Sequence, residues 1–156
     1  MKPITFSCTS TLDLPPQAIV ERILDMSNWP EFQGYGMLPG IKHAEFEVRT
    51  PELVGTRIRV ENTDGSRHVE QIVAWQPGER LTLHLQEFSP PVSRLAERFE
   101  ETWEFDVRDS TTHVTRAFRV HPKSALTWPM MWLVSRMLKK AIDKHLEQMR
   151  AEAASV

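Results

Sequence analysis

Residues 4–12 (ITFSCTSTL) are rich in β-branched and small side chains and read as a strand, which Asp13-Leu14-Pro15-Pro16 breaks. Proline suits the first helical turn, where its missing N–H has no partner to lose. Ile19, Val20, Ile23 and Leu24 then fall on one stripe, predicting a helix over 17–26. Ser27-Asn28-Trp29-Pro30-Glu31-Phe32 reads as a short second helix capped by Ser27 or Asn28. From Ile41 the period changes to two. It predicts six strands near 41–49, 55–62, 67–76, 80–88, 97–107 and 112–121. Asp64-Gly65, Pro77-Gly78 and Arg108-Asp109-Ser110-Thr111 mark tight links, so sequential strands pair antiparallel. The longer link 89–96 has room for a helical turn. Residues from about 129 to 154 form one long amphipathic helix, with Met131, Val134, Leu138, Ala141, Ile142, His145 and Met149 on its apolar side.

The order is strand, two helices, six strands, long helix. A seven-stranded antiparallel sheet must cover its apolar face, and the C-terminal helix offers the only large apolar surface for it. The simplest arrangement is an α+β fold in which the sheet curls around that helix. At 156 residues the chain suits one domain over 1–156, without repeats or linkers.

Composition narrows the function classes. Nineteen basic against twenty-one acidic residues give a net charge of −2, which offers nothing for nucleic acid. A single cysteine, Cys8, excludes an internal disulfide and any multi-cysteine metal site. No run approaches the roughly 20 apolar residues of a membrane span, and the N-terminus lacks the apolar run of a signal peptide. These features predict a soluble cytoplasmic protein. The six histidines make no HExxH spacing, no phosphate loop or dinucleotide fingerprint occurs, and neither metal nor cofactor is expected.

The segments Trp29-Pro30-Glu31-Phe32, Leu38-Pro39-Gly40-Ile41, Val54-Gly55-Thr56-Arg57, Glu70 to Leu81 (EQIVAWQPGERL) and Phe99 to Phe105 (FEETWEF), closed by an amphipathic helix, resemble the START/Bet v 1-like superfamily and its polyketide cyclase/dehydrase and lipid-transport branch. The resemblance covers nearly the whole chain. It implies a helix-grip fold with a cavity between the curved sheet and the last helix. It further implies a small hydrophobic partner: a lipid, steroid or polyketide. It transfers no catalytic residue.

Alternation assigns faces on two strands. Phe99, Glu101, Trp103, Phe105 and Val107 share one face of 98–107, and Val114, Arg116, Phe118 and Val120 one face of 112–121. A short turn between them places Glu101 opposite Phe118 and Arg116 opposite Trp103, leaving Glu101 and Arg116 on a diagonal that both can span. The expectation is a buried Glu101–Arg116 pair inside the cavity, since an unpaired interior charge is costly. Arg116 would hold a ligand's polar end, such as a carboxylate, or Glu101 would act as an acid or base; the alternative is a structural ion pair or charges at the sheet rim. Trp103, Phe105 and Phe118 would line the cavity from the sheet, and Met131, Leu138, Ile142 and His145 from the helix. Met130, Met137 and Met149 lie on or beside the same stripe, where methionine suits irregular ligands as well as ordinary cores.

The glycine-flanked loop Gln33-Gly34-Tyr35-Gly36-Met37 reads as a lid over the mouth, with Tyr35 a ligand hydrogen-bond donor, or as an ordinary turn. Cys8 reads as a small buried hydrophobe, and His145 as a core histidine satisfied by a hydrogen bond or as a cavity acid/base. Trp132 projects to the polar side of the last helix, where it packs under a loop or meets a partner. Three functions remain open: a binder of a small hydrophobic molecule, a cyclase/dehydratase-like enzyme, and an interaction protein with a vestigial cavity. Oligomeric state is left open.

Overall fold

The computed structural model describes residues 1–155. Seven strands form one antiparallel sheet: β1 (Ile4–Leu12), β2 (Ile41–Val48), β3 (Arg57–Asn62), β4 (Arg67–Gln76), β5 (Arg80–Gln86), β6 (Ala96–Arg108) and β7 (Thr111–Pro122). Their order is β1-β7-β6-β5-β4-β3-β2, a continuous meander from β2 to β7 with β1 added beside β7. Three α-helices complete the chain: α1 (Pro16–Ile23), the single turn α2 (Val92–Leu95) and the long α3 (Trp128–Ala154). This is the helix-grip arrangement, with α3 running along β1 and β7 on the concave side of the sheet.

Local chemistry explains the boundaries. The second short helix is 3-10 (Met26–Glu31), and its cap is Asp25, whose side chain accepts from the Ser27 amide. The expected Ser27 or Asn28 cap is displaced because α1 stops at Ile23, three residues earlier than its apolar stripe suggested. The Trp29 indole N–H then donates to the Ile23 carbonyl at 2.7 Å, tying the 3-10 helix to the end of α1. In the β3–β4 turn Asp64 accepts from the Ser66 amide at 2.9 Å, and Gly65 supplies the positive φ of +86°.

β6 and β7 pair as alternation required, with Glu101 opposite Phe118 and Trp103 opposite Arg116. Val107 departs from its face: at 56% exposure it lies near the end of β6, still paired with Thr112. One departure changes the interior. Between Ile72 and Ala74 the β4–β5 register slips by one residue, a bulge at Val73. Because side chains alternate with period two, the slip swaps faces for everything before it. Ile72, Glu70 and His68 therefore point to the concave side, with Glu70 opposite Leu85.

The core forms where α3 meets the sheet. Met131, Ser135, Leu138, Ile142, Leu146, Met149 and Ala153 are buried at spacings of three and four, with Ala141 buried beside them. A smaller cluster of Ala44, Ile58 and Val60 packs under Trp29 and Met26 at the β2–β3 end. β2 closes the sheet as its outer strand, with two register shifts against β3. Among the described residues no helix is long and apolar enough to cross a membrane.

Candidate functional site

Between α3 and the concave sheet lies a cavity of about 430 Å³, inside the range of small-molecule sites. Its wall is mostly apolar, with Leu83, Leu85, Phe99 and Phe118 from the sheet and Val134, Leu138 and Ile142 from α3. The mouth opens between loop 33–40, the β3–β4 turn, the β5–β6 link with α2, and the first turns of α3. Met37, Asp64, Pro91, Met130 and Leu133 are exposed there.

Arg116, Glu101 and His145 form a polar centre in this apolar chamber. Arg116 donates from Nε to Glu101 Oε2 at 2.6 Å, and its Nη2 lies 2.5 Å from the same oxygen as an ion-pair contact. Its Nη1 donates to His145 Nδ1 at 2.9 Å. The guanidinium carbon sits 4.1 Å from the Trp103 ring centroid, a cation–π contact that covers one face of the cation. Glu101 is 5% and Arg116 6% exposed, so pairing is required rather than optional.

Burial pushes the Glu101 carboxyl above its ordinary range, and the charge of Glu70 adds to the rise; Arg116 pulls the other way. His145 is driven down to about 3, first by burial, then by the charges of Arg116 and Arg22. It is therefore neutral at pH 7. With Nδ1 accepting from Arg116, its proton sits on Nε2, which is a donor. The His145 ring stands edge-on to Phe32 at 5.8 Å. The Arg116 hydrogen bonds run from Nε to Glu101 and from Nη1 to His145, which leaves further Nη N–H groups for another acceptor, while both Arg116 contacts to Glu101 end on Oε2.

A second polar pair lines the same cavity. His68 and Glu70 meet at 2.9 Å (Nε2 to Oε2), with side chains 10% and 8% exposed. At the α1 end Arg22 bonds Glu152 of α3 and lies 3.7 Å from Glu31, so one guanidinium links α1, the 3-10 helix and α3.

Of the residues expected to line the site, Glu101, Trp103, Arg116, Phe118, Leu138, Ile142 and His145 border the cavity. Three do not. Tyr35 is 44% exposed and its ring lies 5.1 Å from Lys140 Nζ on the outside; a tight turn between Tyr35 and Leu38 puts Leu38 on the cavity wall and Met37 at its mouth instead. Phe105 is buried beyond the cavity, paired with Val114 where the sheet closes on its own core. Met131 is fully buried against the sheet, while Met130, Val134 and Met137 turn toward the void. The apolar side of α3 thus carries two adjacent stripes, one on the sheet and one on the cavity. Glu70 and His68 escaped the sequence reading because the Val73 bulge reverses their face; the signal was Leu81, Leu83 and Leu85, whose alternation fixes the inner face of β5 beside them.

Cys8 is buried and its thiol donates to the Lys139 carbonyl at 3.5 Å; burial, then Asp143, pushes it up to about 12, so it is no nucleophile. Among the described residues no group of three or more His, Cys, Asp or Glu is placed to hold a metal ion.

Most of the backbone superposes on solved structures. The protein TTHA0849 from Thermus thermophilus matches at TM-score 0.71 with 15% identity, over 97% of this chain and 98% of that one. A START superfamily protein from Mycobacterium smegmatis matches at TM-score 0.61 with 15% identity, over 93% and 98%. The di-domain ARO/CYC BexL of the BE-7585A biosynthetic pathway matches at TM-score 0.69 with 15% identity, over 97% of this chain and half of that one. At such identities these show a shared fold. No curated protein sequence matches. The family model described as "Polyketide cyclase / dehydrase and lipid transport" matches residues 3–154. By that match over nearly its full length, the chain belongs to the polyketide cyclase/dehydrase and lipid-transport family.

Proposed function

We propose that the protein binds a small, mainly hydrophobic, uncharged molecule in the cavity, with a hydroxyl or carbonyl of the ligand at the Arg116–Glu101–His145 centre. The observation that carries this reading is a buried polar centre inside an apolar chamber of about 430 Å³. Apolar walls favour apolar surface at roughly 25 cal/mol per Å² buried, and a few polar groups then fix orientation. The ligand's polar end is neutral because of how Arg116 is used. The Nε–Nη2 edge that would grip a carboxylate side-on already holds Glu101. A ligand carboxylate would also meet Glu101 and Glu70 in a mostly apolar chamber. A hydroxyl or carbonyl meets no such repulsion. It finds the His145 Nε2–H and the remaining Arg116 Nη N–H groups as donors, and Glu101 Oε1 as acceptor.

A second reading, an enzyme acting by acid/base chemistry on a polyketide-like substrate, is favoured by Glu101. Its carboxyl is raised and it borders the cavity.

Native mass spectrometry of freshly purified protein, with uptake of the neutral dye N-phenyl-1-naphthylamine, tests the binding reading. A discrete added mass released on denaturation, or dye uptake lost in Leu138→Trp, supports it. An apo mass together with no dye uptake overturns it. Turnover abolished in Glu101→Gln while dye uptake persists would establish the enzyme instead.

A further inference from the structure

We propose that the first half of α3, with the segment leading into it, is a docking surface for an anionic lipid bilayer. The solvent side of this region does not look like an ordinary solvated helix face. Leu126 is 93% exposed, and Trp128, Met130, Trp132 and Leu133 are exposed beyond it. Met37, 88% exposed, stands across the cavity mouth. A monomer rarely leaves so many large apolar side chains together in water.

Charge identifies the occupant. From Lys123 to Ile142 the chain carries Lys123, Arg136, Lys139 and Lys140 and no acidic residue. The pattern ends at Asp143: the outer face of the second half of α3 mixes Asp143, Lys144, Glu147 and Arg150. One helix thus carries two kinds of outer face, a mixed-charge solvated one and one of tryptophan, leucine and methionine bordered by Arg136 and Lys140, with Lys139 at its edge held by Asp143 and the Ser7 carbonyl. Arg136 lies 5.8 Å from the Trp132 ring and Lys140 5.1 Å from the Tyr35 ring, so cations and aromatics share one surface. Asp64 is the exposed carboxylate of the mouth, on the opposite lip.

Amphipathic aromatic rings belong at the level of lipid headgroups, leucine and methionine below it, and lysine and arginine at an anionic surface. The apolar stretch from Trp128 to Lys140 is about 18 Å long at 1.5 Å per residue, which suits a helix lying in the interface plane. Met130 and Leu133 belong both to this surface and to the cavity lining. A docked protein would therefore press its mouth against the bilayer, and an insoluble molecule would pass between lipid and cavity without crossing water. The docking stands on the surface alone; the passage rests on the binding function proposed above.

The test is co-sedimentation of the full chain with vesicles of phosphatidylcholine, alone or mixed with phosphatidylglycerol. Dye uptake is measured separately without vesicles, so a failure of docking and a failure of cavity binding are read independently. The expected result is pelleting with the anionic vesicles that weakens with salt and falls about tenfold or more on neutral ones. Leu126→Asp with Trp132→Ser, and Arg136→Glu with Lys140→Glu, each lose about tenfold or more in partitioning. Wild-type protein left in the supernatant with anionic vesicles overturns the proposal, as do variants that pellet like wild type. A dimer in solution that dissociates in Trp132→Ser also overturns it, assigning the surface to a second copy of the chain.

Discussion

Arg116 reaches back across β6 and β7 to set its Nε and Nη2 at 2.6 and 2.5 Å from a single oxygen of Glu101, the first as a hydrogen bond and the second as an ion-pair contact. The residues are diagonal neighbours, each opposite an aromatic ring: Phe118 faces Glu101 and Trp103 faces Arg116. A charge pair so enclosed constrains mutation asymmetrically. Arg116→Leu strands a buried carboxyl and is expected to cost about 3–5 kcal/mol. The double change Glu101→Leu with Arg116→Leu removes both charges and recovers most of that loss. Urea denaturation of the two variants and wild type checks it; a double variant no more stable than Arg116→Leu would contradict the pairing.

The ligand's polar end sets a second expectation. At pH 8 dodecanol should compete for the cavity at least about tenfold better than dodecanoate, since the carboxylate brings a charge into a site already holding two carboxyl groups. Displacement of N-phenyl-1-naphthylamine measures the ratio. Equal competition would show that Arg116 is free to take an anion.

His145 gives stability a defined pH dependence. Its folded value, about 3, lies below the ordinary value of 6.5, so the unfolded chain binds the extra proton. The stabilisation is complete above about pH 6.5. It is lost progressively as pH falls toward 3, at no more than about 1.4 kcal/mol per pH unit. Glu101, raised in the folded state, works in the opposite sense and gains stability as pH falls. The difference between wild type and His145→Gln therefore isolates the histidine. That difference curve should slope downward below pH 6.5, and a flat one would mean that His145 is protonated in the fold.

Gly34 is a fourth point of attack. Its φ of +73° disfavours any side chain, and a Cβ there would sit 2.3 Å from the Leu38 carbonyl oxygen. Gly34→Ala is expected to lower stability by about 1–3 kcal/mol and to loosen the lip carrying Met37 and Leu38. Thermal unfolding measures the first effect; the dye's association rate, which should rise, measures the second.

Much of this architecture was legible because the relevant stretches are regular. β6 and β7 are long, joined by a short turn and strictly alternating, so Glu101, Trp103, Arg116 and Phe118 could be placed face by face. The failures fall where periodicity carries no information: at a bulge, in the rotation of a helix and in a loop. The extra residue at Val73 turns Glu70 and His68 inward, though an unbroken hairpin would turn them out. On α3 a modest rotation separates Met131, pressed on the sheet, from Met130 and Met137 at the void. Tyr35 eluded the reading because its loop direction is set by the Tyr35–Leu38 turn and the Gly34 backbone, which carry no repeating pattern.

The outermost strand, β2, carries a further consequence. Its free rail of N–H and C=O groups is the kind that recruits strands from other molecules into growing assemblies. The two register shifts against β3, between Ile41 and His43 and between Phe46 and Val48, break that rail into short pieces. Lys42, His43, Glu45 and Glu47 stud it with side chains of both signs. An incoming strand would find no straight run to pair with and would strand charges against its own backbone. The irregularity of β2 thus works as a guard against polymerisation, letting a sheet that ends in open solvent stay at seven strands.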